Sequence, residues 1–284
     1  MIPSRYPALS TALTAVLALG TAFRVAAQAK PGDQPTALAK ATQNPVADLV
    51  SLPFQFNFNT GGGLGDQTSF TLNFQPVIPI KGLIPNWIVV ARTVIPYASV
   101  PAGTTRQHGL GDIQGQFFVT PAKSGKVIWA VGPVISFPTA TAEILTTGSW
   151  AIGPTALIVE STGPYVFGAL INNLWTFADD GGEPKTNQFL LQPFINYNFG
   201  EGWALSFSPN ITADWDAPSG EEWTVPLGIG FSKVTVFNGR PMSLGAVYYH
   251  NVEHPTTGAA NLFRITVSLL YPSRPKPKPP PAAK

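Results

Sequence analysis

Residues Trp203-Ala-Leu-Ser-Phe-Ser-Pro-Asn-Ile-Thr212 decide the fold. Trp203, Leu205, Phe207, Pro209 and Ile211 take the odd positions; Ala204, Ser206, Ser208, Asn210 and Thr212 take the even ones. A period of two puts the two sets on opposite faces of a β-strand. One face is apolar, and the other carries small residues, hydroxyls and an amide. The pattern returns at Phe54, Phe56 and Phe58 against Gln55, Asn57 and Asn59. It returns again at Phe263, Ile265, Val267, Leu269 and Tyr271 against Arg264, Thr266, Ser268 and Leu270. A soluble sandwich also alternates, but its outward face usually carries Lys and Glu, which are nearly missing here. Apolar residues facing lipid and polar residues facing a lumen are the signature of a transmembrane antiparallel β-barrel.

Working outward, about twelve such segments cover 51–59, 67–80, 86–97, 110–120, 126–138, 148–160, 164–177, 186–200, 202–214, 221–233, 240–251 and 261–271. An even count is expected of this class. Ser161-Thr162-Gly163, Gly200-Glu201 and Phe237-Asn238-Gly239 predict tight turns. The stretches 98–109, 139–147, 178–185 and 253–260 predict longer loops. Short turns on the periplasmic side would place both termini in the periplasm. Trp87, Trp129, Trp150, Trp175, Trp203, Trp215 and Trp223 all fall near strand ends, where indole meets the lipid–water interface. Against the barrel stand Pro76, Pro133, Pro154, Pro193, Pro209 and Pro226, inside predicted strands where proline removes a ladder donor.

Composition agrees with lipid exposure. Only 11% of the 284 residues are charged, against roughly 25% in soluble domains, while 44% are hydrophobic. The net charge of +2 owes much to Arg274, Lys276, Lys278 and Lys284, and no basic stripe exists, which excludes a nucleic-acid partner. Without cysteine there are neither disulfides nor thiolate sites. Arg5, an apolar run from Ala8 to Phe23, and Val25, Ala26, Ala27 and Ala29 read as a secretory signal peptide over 1–29. That run is short for a spanning helix, so membrane insertion would have to use strands. Residues 30–50 form a periplasmic lead-in at the barrel rim, helical over Thr36–Thr42 and stopped by Asn44-Pro45. The barrel occupies 51–271, and a Pro/Lys-rich tail, extended and solvated, occupies 272–284. The final strand, ending on Tyr271, resembles the signal that barrel-insertion machinery reads.

Five runs carry a family resemblance: Asn44-Pro-Val-Ala-Asp-Leu-Val50, Gly109-Leu-Gly-Asp112, Trp150-Ala-Ile-Gly-Pro154, Asn187-Gln-Phe-Leu-Leu-Gln-Pro-Phe-Ile-Asn-Tyr-Asn-Phe199 and Trp223-Thr-Val-Pro-Leu-Gly228. Over most of the chain, from about Asn44 to Tyr271, it resembles bacterial outer-membrane β-barrels labelled putative transporters or the meta-pathway phenol-degradation type, some misnamed neuromedin U. The resemblance implies the barrel and an outer-membrane location in a Gram-negative bacterium; it brings no catalytic motif.

His108, His250 and His254 fall near the long loops without helical metal spacing. His108 with Asp112 is the one sequence-near pair for a surface hydrolase, and no serine elbow accompanies it. Gly61-Gly-Gly-Leu-Gly65 and Gly109-Leu-Gly111 lack the following helix of a phosphate loop and read as turns. No cofactor is called for. Asp179, Asp180 and Glu183, and Asp214, Asp216, Glu221 and Glu222, make acidic outer loops, either simply solvated or bridging to lipopolysaccharide through divalent cations. By parity the lumen holds Gln55, Asn57, Asn73, Gln75, Arg92, Asp112, Gln114, Gln116, Gln192, Asn196, Asn198, Asn210, Asp214 and Arg264. This amide lining predicts a passive channel for small neutral or aromatic molecules without strong ion selectivity. The alternatives are a closed structural or adhesive barrel and, behind it, a surface enzyme. Arg92 is expected to pair with Asp112 on the next strand, with Arg264 joining across the barrel, as a constriction.

Overall fold

A computed structural model describes residues 33–62, 67–178 and 185–272. The expected signal peptide, most of the Pro/Lys tail, and Asp179, Asp180 and Glu183 lie outside them. Twelve strands form one antiparallel sheet that closes on itself. They are β1 (Leu49–Gly62), β2 (Gln67–Phe74 and Val77–Ile84), β3 (Trp87–Ala102), β4 (Thr105–Leu110 and Ile113–Pro121), β5 (Val127–Phe137), β6 (Trp150–Thr162), β7 (Tyr165–Ala178), β8 (Asn187–Gly200), β9 (Trp203–Phe207 and Ile211–Asp214), β10 (Trp223–Phe237), β11 (Arg240–Glu253) and β12 (Asn261–Pro272). Closure comes from β12 against β1, in register from Leu49↔Pro272 to Thr60↔Asn261. Closure leaves the barrel wall without an open edge among the described residues, which is what a lipid environment demands.

The connections alternate in length. At one end β10 turns into β11 through Asn238 (φ 48°) and Gly239 (φ 74°), a two-residue turn with both residues left-handed, which matches the strand twist. The first and last strands begin and end at this short-turn end. The opposite end carries the long loops. One expected loop is instead structure: β3 runs on to Ala102 and Thr105–Leu110 pairs back along it, making residues 97–110 a projecting β-hairpin. Arg106 braces it by donating to Ser99 O and to Thr68 O of β2.

The six awkward prolines are accounted for. Each sits where a ladder is already interrupted. Pro76 separates the two pieces of β2, and Pro209 the two pieces of β9. Pro193 faces that break in β9 while keeping register with Ala169 on its other side. Pro133 and Pro154 oppose each other across β5 and β6, Pro133 beside a gap in the β4–β5 ladder and Pro154 beside one in the β6–β7 ladder. Pro226 marks the bulge of β10 against β11. A missing N–H costs nothing where no acceptor waits for it. In the β9 break, Ser208 N donates instead to the phenol oxygen of Tyr249, reaching from β11 at 3.2 Å.

Outward residues make an apolar belt that includes Val131, Ile158, Ile195, Ile229, Phe231 and Tyr248, all exposed. A patch of this extent is foreign to a water-soluble monomer. Aromatic residues border the belt at both ends. At the short-turn end Trp87 meets Trp129 edge-on, and Tyr165, Tyr197, Phe199 and Trp203 follow one another. At the long-loop end Phe137, Trp150 and Phe177 form one chain, and Phe189, Trp215 and Trp223 another. These are the two girdles of a membrane-spanning barrel.

Before β1 comes helix α1 (Asp33–Thr42). It lies across the short-turn end. Lys40 Nζ donates to Gly163 O at 2.6 Å, and Gly202 N donates to Thr36 Oγ1 at 3.4 Å, so the helix is tied to two of the tight turns. Ala39 packs with Leu49, Val234 and Leu270, with Leu38, Ala41 and Ala47 around them.

Candidate functional site

The inward faces of the strands set the chemistry of the interior, and they are not alike around the barrel. From β2 to β8, the half nearer the short turns carries Val77, Val90, Phe118, Ala130, Leu157, Val159, Val166, Leu170 and Phe194, which form one buried apolar cluster. From β9 round to β1 the corresponding positions are small or hydroxylic: Ser206, Ser208, Ser232, Ser243, Gly245, Thr266, Ser268 and Ser51. Bulky residues fill one side and leave space along the other.

The lead-in enters that interior rather than resting on the rim. Val46 joins the apolar cluster; burying a valine of this kind stabilises by roughly 1.5–3 kcal/mol. Gln43 and Asn198 exchange amide hydrogen bonds, Nε2 to Oδ1 and Nδ2 to Oε1, each 3.0 Å. Lys81 of β2 pairs with Asp48. Residues 41–45 and Ala47 thus make the floor of the lumen at the short-turn end.

Above this floor are two adjoining spaces. The lower, of about 270 Å³, is bounded by the lead-in, the Ser/Thr wall, Phe194, Tyr249, Gln55, Asn196 and Arg264. The upper, of about 670 Å³, runs past Asn73, Gln114, Gln116, Asn210 and Asp214 to the loop residues Ala217, Pro218, Glu221, Glu222, Pro255 and Thr257. Gln75, Arg92 and Gln192 line both and so form the neck between them. Of the sequence-derived lumen residues, Gln55, Asn73, Gln75, Arg92, Gln114, Gln116, Gln192, Asn196, Asn210, Asp214 and Arg264 border these spaces. Asn57 is buried beneath Arg264, and Asn198 holds the lead-in.

The expected Arg92–Asp112 pair does not form. Arg92 Nη1 donates to Gln116 Oε1 at 2.7 Å, and Nη2 to Gln75 Oε1 at 3.1 Å. Asp112 stands four residues along β4 from Gln116, the register partner of Arg92, and so about 13 Å higher along the strand. Its Oδ1 accepts from Thr139 N and Ala140 N, both at 3.1 Å, and its Oδ2 from Thr147 N at 2.7 Å. Asp112 anchors the β5–β6 loop instead of neutralising the neck. Arg264 does join Arg92 in the same space, and the two charges feel each other. Arg264 Nε donates to Asn57 Oδ1 at 2.7 Å. Arg92 is therefore held by amide oxygens and not by the carboxylate expected for it.

At the long-loop mouth, Glu221 accepts from the hydroxyl and backbone N–H of Thr256, which joins the β9–β10 and β11–β12 loops. Those bonds, the hydroxyl foremost, hold its carboxyl below the usual range. On the outside, Ser99 Oγ lies 3.4 Å from His108 Nδ1, but that oxygen also accepts from Arg106 Nε, and Asp112 is spent on its loop. The contact therefore lacks the base-plus-orienter order of a hydrolase triad. His250 meets Asn261 Oδ1 at 3.0 Å, and His254 faces Pro255 O.

The barrel is similar to the COG4313 outer membrane channel from Pseudomonas putida F1, with TM-score 0.62 and 11% identity, covering 78% of this chain and 94% of that one. The chain shares the β-barrel fold of outer-membrane channels. It is also similar to the NanC porin, with TM-score 0.51 and 11% identity, covering 77% of this chain and 98% of that one. No protein-family model matches the sequence, and no curated protein does. At such identities the likeness speaks for the fold.

Proposed function

We propose that the chain is a passive outer-membrane channel for small polar solutes, closed at its short-turn end by its own lead-in. The short turns then face the periplasm, and both ends of the barrel domain with them. The observation that carries this reading is the pair of amide-lined spaces in the lumen. The upper one borders the loops, the lower one borders residues 41–45 and Ala47, and Gln75, Arg92 and Gln192 border both. A seal made of a chain segment can leave; a seal made of wall residues cannot. Solute size is bounded by the neck rather than by the 670 Å³ vestibule above it.

Planar-bilayer recording of full-length protein and of a Val46→Asp variant tests this. A carboxylate among Phe118, Leu170 and Phe194 is costly to bury unpaired, so the lead-in is expected to disengage and the unitary conductance to rise. Absence of conductance in both proteins would refute the channel and favour a closed structural barrel, in which the apolar cluster is simply a core.

A further inference from the structure

Among the described residues, two guanidinium groups and no carboxylate border the lower space of the lumen. Arg92 and Arg264 border the same lower space. Their side-chain hydrogen bonds all go to neutral amide oxygens: Gln116 and Gln75 for Arg92, Asn57 for Arg264. The amides are committed to this orientation. Gln75 Nε2 donates to Gln55 Oε1 at 3.0 Å, and Asn57 Nδ2 donates to Thr71 O at 3.0 Å, which fixes each oxygen toward its arginine. Among the described residues, the other acids that border the lumen, Asp214, Glu221 and Glu222, belong to the upper mouth. Each accepts a loop bond there, from Asp216 N, Thr256 and Gly220 N.

Two like charges confined in a narrow space repel each other, and a buried cation without a counter-charge is expensive. A guanidinium offers five donors in a planar fork. Arg264 uses one donor on Asn57, through Nε, which leaves its two terminal nitrogens for something else. Water can solvate them, but only an anion can also offset the repulsion. Phe194 and the phenol of Tyr249 border the same 270 Å³, so there is room for an apolar body beside the charge.

We propose that Arg92 and Arg264 form an anion subsite at the waist of the lumen, taking the carboxylate of a small organic acid whose apolar part lies against Phe194 and Tyr249. This deepens the channel reading by giving its narrowest part a charge preference, and it rests on that reading only for flux, not for binding.

Binding is tested on full-length protein in detergent by thermal shift and calorimetry with sodium benzoate, using benzamide as the neutral isostere. Wild-type protein is expected to bind benzoate saturably and at least tenfold more tightly than benzamide, the factor that one charge-assisted hydrogen bond supplies. An Arg92→Gln/Arg264→Gln double variant is expected to lose that preference, and Arg92→Lys/Arg264→Lys to keep part of it. Equal binding of benzoate and benzamide by wild-type protein, or no binding of benzoate, overturns the subsite whether or not any variant folds. The reversal potential in a KCl gradient gives the second readout: anion preference in wild type, lost in the Gln pair. Benzoate binding without conductance would overturn the channel and leave the subsite standing. Conductance with cation preference and no benzoate binding would do the reverse.

Discussion

The lipid face of β10 permits a depth-resolved test of the barrel. Ile229 is 51% exposed and in register with Tyr248 of β11, itself 53% exposed. It lies six residues from Trp223 and eight from Phe237, the ends of the strand. At about 3.3 Å per residue and a tilt near 40°, it stands roughly 15 Å from one girdle and 20 Å from the other, close to the mid-plane. Lysine at that depth costs about 2–4 kcal/mol, or roughly 30- to 700-fold in the folding equilibrium at tenfold per 1.4 kcal/mol. The strand holds its own control. Lys233, of the same parity as Ile229, points outward four residues nearer the short turns and rests its Nζ 4.8 Å from the centre of the Trp203 ring. That lysine sits about 10 Å from the strand end and reaches the interface, as long cationic side chains do. Ser232 borders the lumen, so Ser232→Lys keeps its charge out of lipid. Urea unfolding of the barrel from lipid vesicles, read by tryptophan fluorescence and by the gel-mobility difference between heated and unheated protein, measures both variants. Ile229→Lys is expected to lose stability within the stated range and Ser232→Lys less than 1 kcal/mol of lipid-transfer cost. Equal losses would refute the parity assignment, and tolerance of Ile229→Lys would refute the bilayer itself.

Two smaller expectations follow from single contacts. Tyr249→Phe removes the acceptor of Ser208 N in the β9 break and is expected to cost about 1–3 kcal/mol for the orphaned donor, with faster amide exchange confined to residues 206–212; unchanged exchange there would disprove the tie. The Glu221 carboxyl is held below its usual value by Thr256, so the loop tie it makes is present above the unfolded carboxylate range near 4.3. It is lost as pH falls through the lower folded value. Limited proteolysis of the 254–260 loop is expected to accelerate on acidification in wild type but not in Glu221→Gln, and parallel profiles would reject the assignment.

The fold was legible because the strongest physical constraint on this chain acts at every second residue. Lipid on one side and a polar lumen on the other leave a period of two, which the alternation at 203–212 shows on either side of the break at Pro209, itself buried. Strand number followed from the same repeat. The hairpin at 97–110 was not legible, because its residues project beyond the belt and are free of the alternation that lipid imposes. The prolines misled for a related reason. Proline in a strand argues against that strand only if the neighbouring ladder is intact, and ladder gaps depend on register, which a single strand does not encode.

The lumen was legible by face and not by height. Parity gives each residue one of two sides, and on that ground Arg92 and Asp112 were equally inward. Height depends on how far one strand is shifted against the next. Here β4 sets Gln116, not Asp112, against Arg92. That shift has a consequence no list of inward residues contains. It spends the carboxylate on the β5–β6 loop and surrounds the guanidinium with amide oxygens. The lead-in shows the same limit. Its helix was readable from residues 36–42, but Val46 entering the apolar cluster required knowing that Phe118, Leu170 and Phe194 share one level. Charge and closure in this lumen are therefore properties of register, and a variant that slipped β4 by two residues would keep every side chain on its face while moving Gln116 away from Arg92. Such a slip would change which groups face Arg92 without moving any residue to the other face, so the surroundings of this guanidinium are set by register more than by composition.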